Sequence, residues 1–175
     1  MLTLEDAKAQ LNIASSDDSQ DDEIQGYVDA VTSVVERQTG EVVEPRAVVE
    51  DHYARHQDTI VLQSLPVIEL QSVASVDGSR AWDVDSLHVT RSGVLISEGA
   101  VFDGRLAVTV QAGYTTVPPN YRLAALIILQ HLWRVQRGPS TSAFGEGPSY
   151  PDGMVGFAVP RRASELLGSG LGGIA

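Results

Sequence analysis

The stretch LAVTVQAGYTTVPPNYRLAALIILQHLW, residues 106–133, contains the change of pattern that decides the fold. Up to Gln111 apolar residues alternate with polar or small ones, which is typical of a strand with one buried face. After Pro118-Pro119 the apolar residues recur at helical spacing, and a helix tolerates proline in its first turn because the missing N–H has no partner there. The stretch therefore predicts a strand followed by a helix in an α+β protein.

This helix, residues 121–136, has apolar residues on nearly all of its sides. A helix of that composition is buried in a core or between subunits. We therefore predict that part of it lies in an interface between copies of the chain. The candidate interface residues are Tyr121, Leu123, Leu126, Ile127, Trp133 and Arg134.

Two further helices are predicted before the strands. Thr3 is placed as an N-cap with Asp6 three residues later, a variant of the capping box. After a polar break, apolar residues recur at helical spacing from Ile24 to Val35, and Asp21 begins an acidic first turn that suits the helix dipole. With the later helix they predict a small helical bundle formed by residues 1–45 and 118–137.

Residues 46–117 predict an antiparallel β region inserted between the helices. Turn signals occur at Asp77-Gly78, Ser92-Gly93 and Asp103-Gly104, and the short connections exclude parallel crossovers. We predict a meander of about five or six strands. The predicted strands are 59–62, 67–76, 82–89 and 106–111.

The composition predicts a soluble chain without a membrane anchor. The formal net charge is −11, the isoelectric point is about 4.6, and there is no cysteine. Residues 1–45 carry eleven acidic and two basic side chains, whereas residues 118–175 carry three and five. A net acidic chain binds nucleic acid poorly, because that binding depends on cations that displace phosphate counterions. The acidic amino terminus predicts a cytoplasmic protein without a secretory leader.

The candidates for site chemistry are weak, and we predict no catalytic residue, metal or cofactor. The acidic cluster Asp17 to Glu23 lacks the glycine and the final acid of a calcium loop. His52 and His56 lie in predicted strand and loop and lack the glutamate of H-E-x-x-H. His131 lies inside the apolar helix, where a hydrogen-bonded core or interface histidine is expected rather than a catalytic base. Asp83 and Asp85 are predicted to share the wet face of a strand. The glycines of residues 168–173 follow no strand and precede no helix.

The ordered set of segments resembles the head–tail connector proteins of long-tailed double-stranded DNA bacteriophages. The resemblance rests on LTLEDAKAQL, DDEI, ERQTG, VTVQAGY and VPPNYRLAALIILQHLW, covers about residues 2–137, and extends loosely to VPRRASELL. It implies a structural protein of the virion neck, assembled in the host cytoplasm. In that family the subunits form a ring of about twelve copies that docks below the portal and receives the next neck or tail protein, and double-stranded DNA passes through its channel.

The resemblance also suggests a role for the C-terminal residues. Residues 138–175 predict a flexible loop and arm with a short helix after Pro160. We predict that this arm docks on the portal, because its apolar residues have few local partners and its arginines reverse the sign of an acidic chain. The candidate docking residues are Phe157, Val159, Pro160, Arg161, Arg162, Leu166 and Leu167.

Three alternatives stay open at the level of the sequence. One is another completion protein of the neck or tail. The second is an acidic regulator that binds a basic protein, and the third is a metal-dependent hydrolase that uses His52 and His56.

Overall fold

The computed structural model describes residues 1–137 and 158–168 and contains both helices and antiparallel sheets, which confirms the α+β class. The helices are α1 (Leu4–Leu11), α2 (Asp21–Thr39), α3 (Pro119–Arg137) and α4 (Arg161–Leu166). The strands are β1 (Arg46–Gln57), β2 (Thr59–Val61), β3 (Val67–Ser75), β4 (Ala81–Trp82), β5 (Leu87–Val89), β6 (Val94–Ser97) and β7 (Phe102–Ala112), with a short 3₁₀ helix at Val84–Ser86.

The chain divides into two compact units. The helical unit contains Met1–Thr39 and the described residues from Pro118 onward, and the β unit contains Gly40–Val117. Every described α-helix lies in the first unit and every described strand in the second. That the helical unit forms the core of a connector subunit, with the β unit as an inserted lobe, stays a prediction.

The capping box at the start of α1 is confirmed. The Thr3 hydroxyl accepts a hydrogen bond from the Asp6 N–H at 3.1 Å, and the Asp6 carboxylate accepts one from the Thr3 N–H at 3.1 Å. Lys8 is buried and its Nζ forms an ion pair with Asp21 Oδ1 at 2.5 Å. Asp21 therefore joins the start of α2 to α1, a tertiary role beyond the predicted interaction with the helix dipole.

Helix α3 differs from the prediction of a helix that is apolar on nearly all sides. One side has a fully buried centre formed by Ala124, Ala125, Ile128 and Leu129, whereas the opposite side carries exposed and polar residues such as Leu123 and Arg134. A helical bundle is not evident either, because α1 and α4, which contact α3, span only 8 and 6 residues. The sequence pattern overestimated burial because it does not show how many neighbours a helix has.

The β unit contains two antiparallel sheets rather than one meander. The four-stranded sheet has the order β1-β7-β3-β4, and the three-stranded sheet has the order β2-β6-β5. Strand β7 is central because it pairs with β1 on one side and with β3 on the other. Its inward residues Phe102, Leu106, Val108, Val110 and Ala112 are fully buried, so β7 forms the middle of the core of this unit.

Two local predictions in this unit are wrong for identifiable reasons. Asp103-Gly104 is not a turn but lies inside β7, where β1 has a bulge between Ala54 and Gln57 and the Asp103 carboxylate accepts the His56 N–H at 3.1 Å. The predicted strand 82–89 is interrupted by the 3₁₀ helix. Asp83 is the N-cap of that helix and accepts the N–H of Asp85, so these two acids do not share a strand face.

Candidate interaction surface on helix α3

Helix α3 has two sides of different character. Ala124, Ala125, Ile128 and Leu129 are fully buried and form its inward side. At about 3.6 residues per turn, Leu123, Ile127 and Arg134 lie together on the opposite side. Leu123 is 50% exposed, Ile127 is half-buried and Arg134 is exposed. We call these three residues the outward face of α3.

The other predicted interface residues are distributed around the helix. Leu126 and Trp133 lie beside the outward face and are half-buried, and the Trp133 ring packs edge to face on Tyr27 of α2 at 5.6 Å. Tyr121 is half-buried and lies on the inward side. The structure therefore brings Leu123, Leu126, Ile127, Trp133 and Arg134 to one part of the helix surface and separates Tyr121 from them.

Polar contacts fix the start of α3 within the helical unit. Arg122 Nη2 lies 2.5 Å from Asp6 Oδ1, which joins α3 to α1. The Thr3 N–H, together with the Thr3 hydroxyl and Arg122, holds the pKa of Asp6 below its ordinary value against the opposing effect of burial. The Asp6 carboxylate therefore caps α1 and contacts α3 at the same time.

The predicted docking residues are mostly on or beside α4, and Phe157 lies outside the described residues. Val159, Pro160 and Leu166 are half-buried, Leu167 is buried, and Arg161 and Arg162 are exposed. The Leu166 carbonyl accepts a hydrogen bond from Asn120 Nδ2 at 2.8 Å, and α4 packs on α3. Leu167 therefore packs within the helical unit, and the docking role of these residues stays a prediction.

The remaining chemical candidates have structural partners. Asp17 accepts hydrogen bonds from the Ser19 hydroxyl at 2.6 Å and N–H at 3.1 Å, and these bonds lower its pKa. His52 Nε2 lies 2.8 Å from Glu50 Oε2, whereas His56 has a backbone φ of +50° at the bulge. Across residues 1–137 and 158–168, no three histidine, aspartate or glutamate side chains are grouped to hold a metal ion.

Glu50 is a buried carboxylate that the sequence pattern does not identify. Its side chain is 7% exposed and accepts the Gln63 N–H at 3.0 Å and the Ser64 N–H at 2.5 Å in addition to His52. Burial alone would raise the pKa of Glu50, but these hydrogen bonds outweigh it and the pKa is lowered. The carboxylate therefore fastens the segment after β2 onto β1.

A second exposed apolar surface, also not predicted, lies on β1. Val49 and Tyr53 are 63% and 66% exposed, and the exposed Asp51 lies between them on the same face of the strand. The guanidinium of Arg55 lies 5.6 Å from the Tyr53 ring centroid. We call Val49, Asp51 and Tyr53 the outward face of β1. In the sequence, the only sign of this face is the even spacing of Val49 and Tyr53, which places both residues on the same side of a strand.

Together these features are typical of one class of protein. The structure is an α+β subunit with exposed apolar residues on a helix and on a strand, which is typical of a component that is buried by assembly. In the part of the chain that the structure describes, no helix is long and apolar enough to cross a bilayer. The site supports a structural subunit.

A match to a known protein family identifies this class. The sequence matches the head completion protein family over residues 1–169, and the chain belongs to that family. It is a structural, non-enzymatic component of the virion. The predicted resemblance is thereby confirmed at the level of the family, and the regulator and hydrolase alternatives are set aside.

Solved structures show the same fold at low sequence identity. One is a chain in the neck of an empty gene transfer agent (GTA) particle, computed with C6 symmetry. Its TM-score is 0.68 at 14% identity, with 96% of this chain and 88% of that chain covered. A chain in the neck of the native GTA particle, computed with C12 symmetry, has a TM-score of 0.57 at 15% identity over 81% and 79% of the two chains. The virion of a native gene transfer agent particle contains a match with a TM-score of 0.65 at 14% identity over 96% and 88%. No curated protein matches the chain.

Proposed function

We propose that this chain is a ring-forming adaptor of the virion neck. In this role it docks below the portal, receives a neck or tail protein on its other side, and surrounds the passing double-stranded DNA. The fold shared with neck chains of particles computed with C6 and C12 symmetry supports a ring of about twelve copies. The net charge of −11 suits a channel wall that repels phosphate.

The observation that carries the proposal is the outward face of α3. Leu123 is half exposed, whereas Ala124, Ala125, Ile128 and Leu129 on the inward side of the same helix are fully buried. Large apolar side chains that stay exposed in a contiguous patch mark surfaces that a partner covers. In a head completion protein, a neighbouring copy of the chain is the partner that a ring supplies.

Replacing Leu123 with glutamate is expected to prevent ring formation. A charge placed in the centre of a packed interface loses its hydration without gaining a partner, which costs several kcal/mol per contact, and a ring repeats this contact in every copy. The measurement is the mass of the assembly by native mass spectrometry and light scattering, with and without the portal protein. The wild-type chain is expected to give a closed ring, and the variant monomers or short open oligomers.

Val61→Glu is the matched control for this experiment. Val61 is 66% exposed and belongs to β2, so the same substitution tests the effect of added charge at another exposed apolar site. The control is expected to assemble like the wild-type chain. A wild-type chain that stays monomeric with portal present contradicts the proposed ring, whereas an L123E variant that forms complete rings contradicts only the role of α3.

The portal-docking part of the proposal rests on α4. Arg161 is 94% exposed by its side chain, pairs with Glu165 one turn later, and is followed by the exposed Arg162. An arginine pair on a helix surface matches carboxylates of a partner in bidentate geometry. The buried Leu167 is assigned to the fold of the helical unit rather than to docking.

Arg161→Glu/Arg162→Glu is expected to weaken portal binding about tenfold or more, because it replaces attraction by repulsion at a charged contact. Binding is measured with immobilised portal rings, and circular dichroism checks that the helices are retained. Arg37→Glu/Arg91→Glu, which reverses two exposed arginines elsewhere, controls for net charge. Equal binding by both double variants would place docking on another surface.

A further inference from the structure

A closed ring requires two different surfaces on each subunit. In a cyclic assembly of more than two copies, one patch of each subunit contacts a different patch of the next, so the interface is heterologous. The following inference rests on the proposed ring, in which the outward face of α3 is one of these patches. The second patch has to be a separate exposed surface of complementary shape and charge.

The outward face of β1 has the composition of such a patch. Tyr53 and Val49 are each more than half exposed, and they lie on one face of a strand at the edge of the four-stranded sheet. Tyr53 is opposite Arg105 in the register of β1 and β7, and Arg55 lies over its ring. Tyrosine and arginine are the residues that most often dominate the free energy of binding at protein interfaces.

The charges of the two faces are opposite. Asp51 lies between the two apolar residues of the β1 face, and Arg134 belongs to the α3 face. Within the described residues, neither side chain takes part in an ion pair. An interfacial pair of this kind sets the register of two apolar patches.

We propose that the outward face of β1 in one copy binds the outward face of α3 in the next copy around the ring. Val49 and Tyr53 pack on Leu123 and Ile127, and Asp51 pairs with Arg134. This contact is heterologous and therefore propagates from copy to copy, as a ring requires. The partner of the β1 face is therefore a second copy of this chain.

Cysteine cross-linking tests the contact directly, because the chain contains no cysteine of its own. The variant Val49→Cys/Leu123→Cys is assembled with portal protein and treated with a bismaleimide that spans about 10 Å, the distance between packed elements. The expected result is a ladder of covalent oligomers up to the full ring on a denaturing gel. A mixture of the two single variants is expected to stop at covalent dimers, since each chain then reacts only once.

The control and the other outcomes separate this inference from the proposed ring. Val61→Cys/Leu123→Cys, which moves one cysteine to another exposed site, is expected to give no ladder. Dimers from Val49→Cys alone would show a symmetric contact and overturn the inference. If native mass spectrometry shows rings but the V49C/L123C variant gives no cross-linked ladder, the proposed contact is wrong. The proposed function is not affected by that result. Absence of any wild-type ring would overturn both.

Reversal of the charge pair gives a second, independent measurement. Arg134→Asp is expected to lower the yield of rings at least about tenfold, because it places two carboxylates together. Combining it with Asp51→Arg restores opposite charges and is expected to recover most of the rings. Failure of the double variant to recover them, while each single variant remains folded, would contradict the proposed pairing.

Discussion

Gly113→Ala is expected to destabilise the β unit by about 3 kcal/mol or more, from the sum of backbone strain and overpacking. Gly113 follows β7 with a φ of +126°, a conformation that side chains of L-residues rarely adopt. A Cβ at this position would lie 2.7 Å from the Cα and N of Pro45 and 2.8 Å from the carbonyl carbon of Glu44. These are backbone atoms, so no rotation of a side chain removes the clash.

The surroundings of Gly113 restrict any relaxation. Its N–H donates to the Pro66 carbonyl at 2.9 Å, and the next residue, Tyr114, donates its N–H to the Val43 carbonyl at 3.2 Å. Movement of Gly113 away from Pro45 would therefore break hydrogen bonds that close the β unit. Both effects act on the folded state and reduce its free energy of unfolding.

Gly78→Ala is the matched control for this prediction. Gly78 also has a positive φ, +72°, but no atom lies within 4 Å of the added Cβ, so only the backbone cost of about 1 kcal/mol applies. Urea unfolding is followed by the fluorescence of Trp82 in a Trp133→Phe background, which leaves the β unit with the only tryptophan. If Gly113→Ala and Gly78→Ala lower the free energy of unfolding equally, the close packing of Gly113 against Pro45 contributes nothing to the effect.

Glu50→Gln is expected to destabilise the same unit by about 2 to 3 kcal/mol at pH 7. The carboxylate accepts the N–H groups of Gln63 and Ser64, and hydrogen bonds to a charged acceptor are stronger than those to a neutral amide. The amide of glutamine also turns a donor toward one of these N–H groups. Glu69→Gln, on an exposed position of β3, is the control and is expected to change the free energy of unfolding by less than about 0.5 kcal/mol.

The effect of Glu50→Gln should depend on pH in a defined direction. The pKa of Glu50 is lower in the folded protein than in the unfolded chain. Its stabilisation is therefore fully present above the unfolded value, about 4.3, and is lost as the pH falls through the lower folded value. The difference between wild type and E50Q, measured by urea unfolding from pH 7 to pH 3, should shrink below about pH 4. A difference that stays constant over this range would contradict the role of the charge.

The parts predicted from sequence are those that depend on near neighbours in the chain. The capping box of Thr3 and Asp6 involves two residues three positions apart, and α2 follows from apolar spacing within one helix. The start of α3 at the proline pair and the short helix after Pro160 are also local. The ordered set of segments was sufficient to indicate the family, because each segment carries its own pattern.

The parts that only the tertiary structure decided depend on contacts between distant residues. The pairing of β1 with β7 joins Arg46 to Ala112, and the Glu50 carboxylate bonds to residues 13 and 14 positions later, which no periodicity encodes. The exposure of Leu123, Val49 and Tyr53 likewise depends on which neighbours cover each face. By itself the sequence determined the helical segments and the extended character of the region between them, since propensity and spacing are properties of a segment, but not the bounds of the individual strands. Which faces are left for a partner was decided by packing, because burial is a property of the whole fold.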